Sequence, residues 1–205
     1  MTHVLALSGS LRKDSLNSLL LKALPALAPA GMKWETCPDL GALPPYDGDL
    51  DHEDPPAGVA RFRAAVDAAA GLVIVTPEYN YSLPGVLKNA IDWASRPKGS
   101  PALTGKCISV FIASPGRALG FRGLSEAKRV LGDLGNLVVA APEVVINTAH
   151  SVLLRAEDGA AIVSDPMAQK LIRVQLAVLH DLLTHDVGGI LRRSYRQHFG
   201  AQFPD

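Results

Sequence analysis

The sequence predicts an α/β domain in which helices cover both faces of a parallel sheet. Short runs rich in leucine and β-branched residues alternate with longer stretches of helical period along most of the chain. Strands joined through helices need right-handed crossovers, and those make neighbouring strands parallel. At 205 residues the chain has the length of one such domain. A domain of that size buries roughly 70% of the surface its unfolded chain exposes, enough for a core without metals or disulfides.

Residues 4–7 read as a first buried strand. A helix over 15–27 follows and stops at Pro29-Ala30-Gly31. Residues 33–37 form a short second strand, and 38–56, with five prolines and no helical period, form a long surface loop. Residues 57–70 are helical, and Gly71-Leu72-Val73-Ile74-Val75 is the clearest buried strand. A helix over 84–95, a strand over 107–113 and a helix over 123–134 continue the alternation. Residues 137–146 supply a fifth strand, interrupted near Pro142. The last long helix opens with Asp165 as N-cap and Pro166 in the first turn. Leu171, Val174, Val178 and Leu182 line one of its faces, and Gly188-Gly189 end it. The chain then divides into a domain over 1–187 and a tail over 188–205, read as a frayed terminus or as an arm docking on a partner subunit.

Twenty basic side chains balance twenty acidic ones, which removes the electrostatic case for nucleic acid. Cys37 and Cys107 belong to no CxxC pair, so a disulfide scaffold or zinc cluster is excluded and both read as small buried hydrophobes. The spacing of His150, His180 and His185 suggests no metal site. No apolar run approaches the roughly 18 residues that span a bilayer, and the first residues carry no basic leader. The expected location is the cytoplasm, with no membrane partner.

In parallel sheets of this kind ligands bind beyond the carboxyl ends of the strands. The loop after the first strand, Ser8-Gly9-Ser10-Leu11-Arg12-Lys13-Asp14, leads into Ser15-Leu16-Asn17-Ser18 at a helix N-terminus. Its free amides and the helix dipole suit an anion. Ser10, Ser15, Asn17 and Ser18 offer hydroxyl or amide donors and Arg12 a charged fork. The loop is neither GxxxxGK[ST] nor GxGxxG and holds no cysteine, which argues against a P-loop, a nicotinamide Rossmann site and a cysteine phosphatase. A plain helix cap with a solvated Arg12 remains the alternative at this point. After the third strand, Thr76-Pro77-Glu78-Tyr79-Asn80-Tyr81-Ser82-Leu83-Pro84-Gly85 forms a stiff turn with exposed amides, suited to the edge and face of a flat heterocycle. Glu78 reads more readily as a structural or interface carboxylate than as a general acid. Ser114-Pro115-Gly116-Arg117-Ala118-Leu119-Gly120 closes over the same place.

GSLRKDSLN (9–17) and TPEYNYSLPGVLKNAIDW (76–93) resemble the two motifs of the NADPH-dependent FMN reductase family, within the flavodoxin-like superfamily. The agreement runs from residue 3 to about 185, and Leu43-Pro44-Pro45-Tyr46-Asp47 resembles that family's loop after the second strand. The resemblance implies a flavodoxin-like three-layer sandwich with strand order 2-1-3-4-5, bound FMN, and a homodimer or homotetramer. It implies that Ser10, Arg12, Ser15 and Asn17 hold the FMN phosphate, with Leu11 and Ser18 beside them. It implies too that Pro77, Glu78, Tyr79 and Asn80 line the isoalloxazine and that Ser114 and Gly116 border it. NADPH or NADH would then reduce the flavin, and a quinone, azo compound, metal oxyanion or free flavin would receive the electrons by a ping-pong scheme. No side chain stands out as an obligatory acid or base, and Arg117 and Arg122 are the candidates for selecting the extra phosphate of NADPH.

The helix after the flavin motif carries Val86, Leu87, Ala90, Ile91, Trp93 and Ala94, an apolar arc wider than one stripe. That arc suits a partner subunit, or a helix fully buried in one subunit. Two rival functions use the same fold: a flavodoxin-like electron carrier, which neutral charge disfavours, and a redox-controlled interaction protein.

Overall fold

The computed structural model describes residues 2–97, 99–117 and 120–199. Strands β1 (Thr2–Ser8), β2 (Met32–Thr36), β3 (Gly71–Val75), β4 (Cys107–Ala113), β5 (Leu137–Val138) and β6 (Val144–Ile146) form one parallel sheet in the order β2-β1-β3-β4-β5. β6 shares the last position, pairing with the later part of β4 while β5 pairs with its start. The interruption comes at Pro142, which has no N–H for a ladder.

Helices α2 (Ala57–Ala68), α3 (Gly85–Ala94) and α4 (Phe121–Asp133) cover one face of the sheet; α1 (Leu16–Ala23) and α6 (Pro166–Thr184) cover the other. β3 and β4 are buried along their whole length because both their faces meet helices. Alternate residues feed the two cores, Ile108, Val110 and Ile112 on one side, Cys107, Phe111 and Ala113 on the other. Asp165 caps α6, its carboxylate accepting the Ala168 N–H at 2.6 Å.

The long loop contains two 3-10 turns, Leu40–Ala42 and Gly48–Leu50, begun by Asp39 and Asp47, whose carboxylates accept from the N–H two residues on. Residues 149–163 hold a short helix α5 (Ala149–Val152) and a hairpin, β7 (Leu153–Arg155) with β8 (Ala161–Val163), turned at Asp158-Gly159. Gly188 and Gly189 do not end the helical region. α6 ends at Thr184, and both glycines lie in the first turn of α7 (Val187–Phe199). They are small because a Cβ on Gly188 would meet the Gly105 carbonyl at 2.7 Å, and one on Gly189 would strike the Asp186 carboxylate. Arg192 pairs with Asp67 and Arg193 with Asp186, so α7 is fastened to its own subunit; residues 200–205 of the expected tail lie outside the described residues.

α6 buries Ile172, Gln175, Leu176, Leu179 and Leu183, one residue on from the expected stripe. Val174 and Val178 are 44% and 37% exposed. Two apolar stripes run along this helix, and spacing does not rank them. In α3, Leu87, Ala90, Ile91, Trp93 and Ala94 are all buried within the subunit, which removes the arc read as a partner surface. Lys88 and Asp92 pair on its outer side at 2.6 Å, as their spacing predicts. Among the described residues no helix is long and apolar enough to cross a membrane.

Candidate flavin site

Three loops leave the carboxyl ends of β1, β3 and β4, and specific contacts weld them together. Gly9 donates its N–H to the Val75 carbonyl at 2.8 Å. A Cβ at Gly9 would lie 2.7 Å from the Thr76 Cβ, so only glycine lets the two loops approach this closely. Thr76 is fully buried and takes its own place through Thr76 N–H to the Phe111 carbonyl at 3.0 Å.

The first loop ends in a built N-terminus. Ser15 has extended backbone and its hydroxyl accepts the Ser18 N–H at 3.2 Å, while Ser8 Oγ and Ser18 Oγ lie 2.8 Å apart. The N–H groups of Leu16 and Asn17 open α1 with no acceptor among the described residues. Ser10 is buried, and Leu11, Arg12, Lys13 and Asp14 are exposed around it. Asn17 is buried across the sheet edge: its amide donates to the Ala113 carbonyl at 3.0 Å and accepts the Ala113 N–H at 2.8 Å. That clamp ties α1 to the end of β4 and leaves one of its two amide N–H bonds. Open amides, a hydroxyl and two exposed cations form a donor set suited to a phosphate monoester.

The second loop is a miniature hairpin. Tyr79 and Ser82 exchange both backbone hydrogen bonds at 3.0 Å. Asn80 and Tyr81 between them have φ of 49° and 67°. Positive φ at both central positions is the turn that matches strand twist, although Tyr81 lacks the freedom of glycine. Tyr81 is 65% exposed, and the Arg122 guanidinium lies 4.8 Å from its ring centroid. The Glu78 carboxylate accepts N–H groups from Gly120 at 3.1 Å and Gly123 at 2.8 Å, capping α4. It is a structural carboxylate, engaged by one of its oxygens. Sequence reasoning did not find this tie, the Asn17 clamp or the Tyr81–Arg122 contact.

In the third loop, Ser114 is buried, its hydroxyl accepting the Gly116 N–H at 3.2 Å and its N–H meeting the Ile146 carbonyl at 2.8 Å. Arg117 is exposed, and Ala118 and Leu119 lie outside the described residues. The loop after β2 stands against α3: Asn89 and Trp93 both donate to the Pro44 carbonyl, at 2.9 and 2.8 Å, and Tyr46 meets the Trp93 ring edge-on at 4.9 Å.

Neither cysteine is poised as a nucleophile. Burial, with Glu35 adding, pushes the Cys37 thiol up to about 12, and burial raises Cys107. At the opposite end of the sheet a cavity of about 200 Å³ is lined by Asp67, Lys106, Asp186, Gly188 and Arg192. There the buried Lys106 amine donates to the Asp67 and Ala69 carbonyls at 2.9 and 2.6 Å. Burial, then Arg192, lowers its pKa to about 8.

The family model of the NADPH-dependent FMN reductases matches residues 2–151. The chain belongs to that family. It is 41% identical over 176 residues to an NAD(P)H-dependent FMN reductase of Pseudomonas aeruginosa, covering 86% of this chain and 92% of that one. It is 43% identical over 142 residues to a quinone reductase of Escherichia coli, covering 69% of this chain and 75% of that one. Among solved structures it resembles the flavoenzyme NAD(P)H:(acceptor) oxidoreductase FerB of Paracoccus denitrificans, with a TM-score of 0.79 and 32% identity over 91% of this chain and 99% of that one. Family membership carries FMN as cofactor and NAD(P)H as electron source, the assignment the two loop motifs imply. The FMN reductase motif residues of this chain are those brought together at the carboxyl ends of β1 and β3.

Proposed function

We propose that this chain is an FMN-dependent NAD(P)H:quinone oxidoreductase working by a ping-pong scheme. The observation that supports this is the weld between Gly9 and Thr76, which sets a helix start with open amides and an exposed amide-rich turn side by side. FMN, when bound, supplies the electron transfer between a nicotinamide donor and a second substrate. The chain's own residues bind and orient. Ser10, Arg12 and the open amides of Leu16 and Asn17 would hold the phosphate, with Ser15 and Ser18 fixing that helix start and Leu11 flanking it. The Pro77–Asn80 backbone would line the isoalloxazine edge, and Ser114 and Gly116 would border it. Glu78 contributes by fastening this turn to α4. No side chain is needed to move a proton, and the fixed N–H groups of the turn favour negative charge on a ligand beside them.

A quinone heads the acceptors, ahead of azo compounds, metal oxyanions and free flavin, because the Escherichia coli relative is named for that activity. The enzyme is placed in the cytoplasm, consistent with its two unbridged cysteines. It assembles from two or four copies, supported by the apolar side chains α6 leaves in solvent. Steady-state NADPH oxidation with varied benzoquinone tests the scheme. Parallel double-reciprocal lines are expected; intersecting lines contradict the ping-pong order, and no quinone-dependent oxidation contradicts the acceptor.

A further inference from the structure

The outer face of α6 is complementary to itself. Met167, Val174 and Val178 are 59%, 44% and 37% exposed, and Leu171 and Leu182 beside them are half-buried. At about 100° per residue these five positions fall within an arc of about 80°. The spacing 167, 171, 174, 178, 182 is that of a helix-pairing seam rather than of scattered surface residues.

The flank of this seam carries one charge of each sign. Lys170 and Asp181 are both exposed, lie on the same side of the stripe, and pair with no other charge among the described residues. Lys170 stands toward the start of the helix and Asp181 toward its end. A two-fold axis midway between Val174 and Val178 lays Val174 on Val178 of a second copy. It seats Leu171 between Val178 and Leu182 of that copy. The midpoint between Lys170 and Asp181 falls within about 0.8 Å of the same axis, half a residue of helical rise. The axis therefore brings Lys170 beside Asp181 of the second copy, twice, on the flank they share.

From that coincidence of apolar and charged registers we infer that α6 pairs antiparallel with α6 of a second copy about a two-fold axis near Leu176. An isologous contact requires such self-complementarity, and a foreign helix or an anionic membrane gives no reason for it; Asp181 opposes the membrane outright. The inference supplies a surface for the two-or-four-copy reading above and does not depend on the flavin chemistry.

Light-scattering mass measurement of the FMN-loaded protein, with its charge variants, tests this. The double variant Val174→Glu/Val178→Glu is expected to halve the assembly mass while flavin absorbance and NADPH oxidation persist, since both valines are exposed on α6 and neither belongs to the loops after β1, β3 and β4. Lys170→Glu and Asp181→Lys singly are expected to weaken association at least tenfold, and the swap Lys170→Glu/Asp181→Lys to restore it. A monomeric wild type, an unchanged mass in the valine variant, or a swap that fails to restore association overturns the inference. Loss of NADPH oxidation with the mass intact would count against the flavin reading instead.

Discussion

The Glu78 carboxylate accepts the Gly123 N–H at 2.8 Å, so an acidic residue of the flavin-side motif caps the helix after β4. The same oxygen takes the Gly120 N–H, and a Cβ at Gly123 would stand 3.0 Å from the Glu78 Cβ. The turn after β3 and the start of α4 thus move as one piece. Hydrogen bonds to a charged group contribute about 1.5–3 kcal/mol. Glu78→Ala should destabilise the fold by about 2 kcal/mol in urea unfolding, and Glu78→Gln, which keeps an acceptor, by about 1 kcal/mol. Equal stability of all three proteins would refute the capping role.

Arg12 is exposed and its side chain makes no hydrogen bond or ion pair among the described residues. Arg12→Ala should leave the unfolding midpoint of the apoprotein where it is and weaken FMN roughly ten- to a hundredfold, the loss of one charged fork. Fluorescence titration with FMN measures it. Unchanged affinity would remove Arg12 from the phosphate site.

Gly9→Ala places a Cβ against the Thr76 side chain, which is buried and held by its backbone. Overpacking of this sort costs about 1–3 kcal/mol. The larger expected effect is on FMN affinity, because the two loops must part to admit the methyl group. A variant that binds FMN normally would show that the weld does not set the site.

Lys106 gives the protein a pH signature. Its folded pKa, lowered to about 8 from 10.5, means the buried charged form is disfavoured. Below pH 8 both states are protonated and the folded state carries the full cost. Between about 8 and 10.5 the unfolded chain binds the extra proton, so stability rises with pH. The gain over that window is about 3 kcal/mol. Urea unfolding of the wild type and of Lys106→Met at pH 7.5 and 10.5 reads it as a difference of differences, which should favour the wild type at the higher pH. A difference that does not change with pH would refute it.

Much of the sheet is visible in the sequence because its central strands are buried on both faces and therefore read as unbroken apolar runs, Gly71–Val75 above all. The caps at Ser15 and Asp165 are local chemistry and equally legible. α6 misleads because its outward stripe, 171, 174, 178 and 182, is as regular as its buried one, and the buried one contains Gln175. Gly188 and Gly189 look like a helix stop, yet their smallness answers to Gly105 and Asp186, contacts no local pattern announces. The hairpin of β7 and β8, turned at Asp158-Gly159, escapes the sequence because its strands are three residues each, too short to show a period. At the site, motif residues are readable one by one, but Asn17 bridging to Ala113 and Glu78 bridging to Gly123 span 96 and 45 residues of chain and emerge only from the fold.

The most direct measurement is the absorption spectrum of the FMN-loaded protein during anaerobic titration with NADPH, followed by addition of benzoquinone. The account predicts flavin bands that bleach with NADPH and return with the quinone. Bands that persist through the titration with NADPH and with NADH, or a protein that retains no flavin after incubation with FMN, would contradict it.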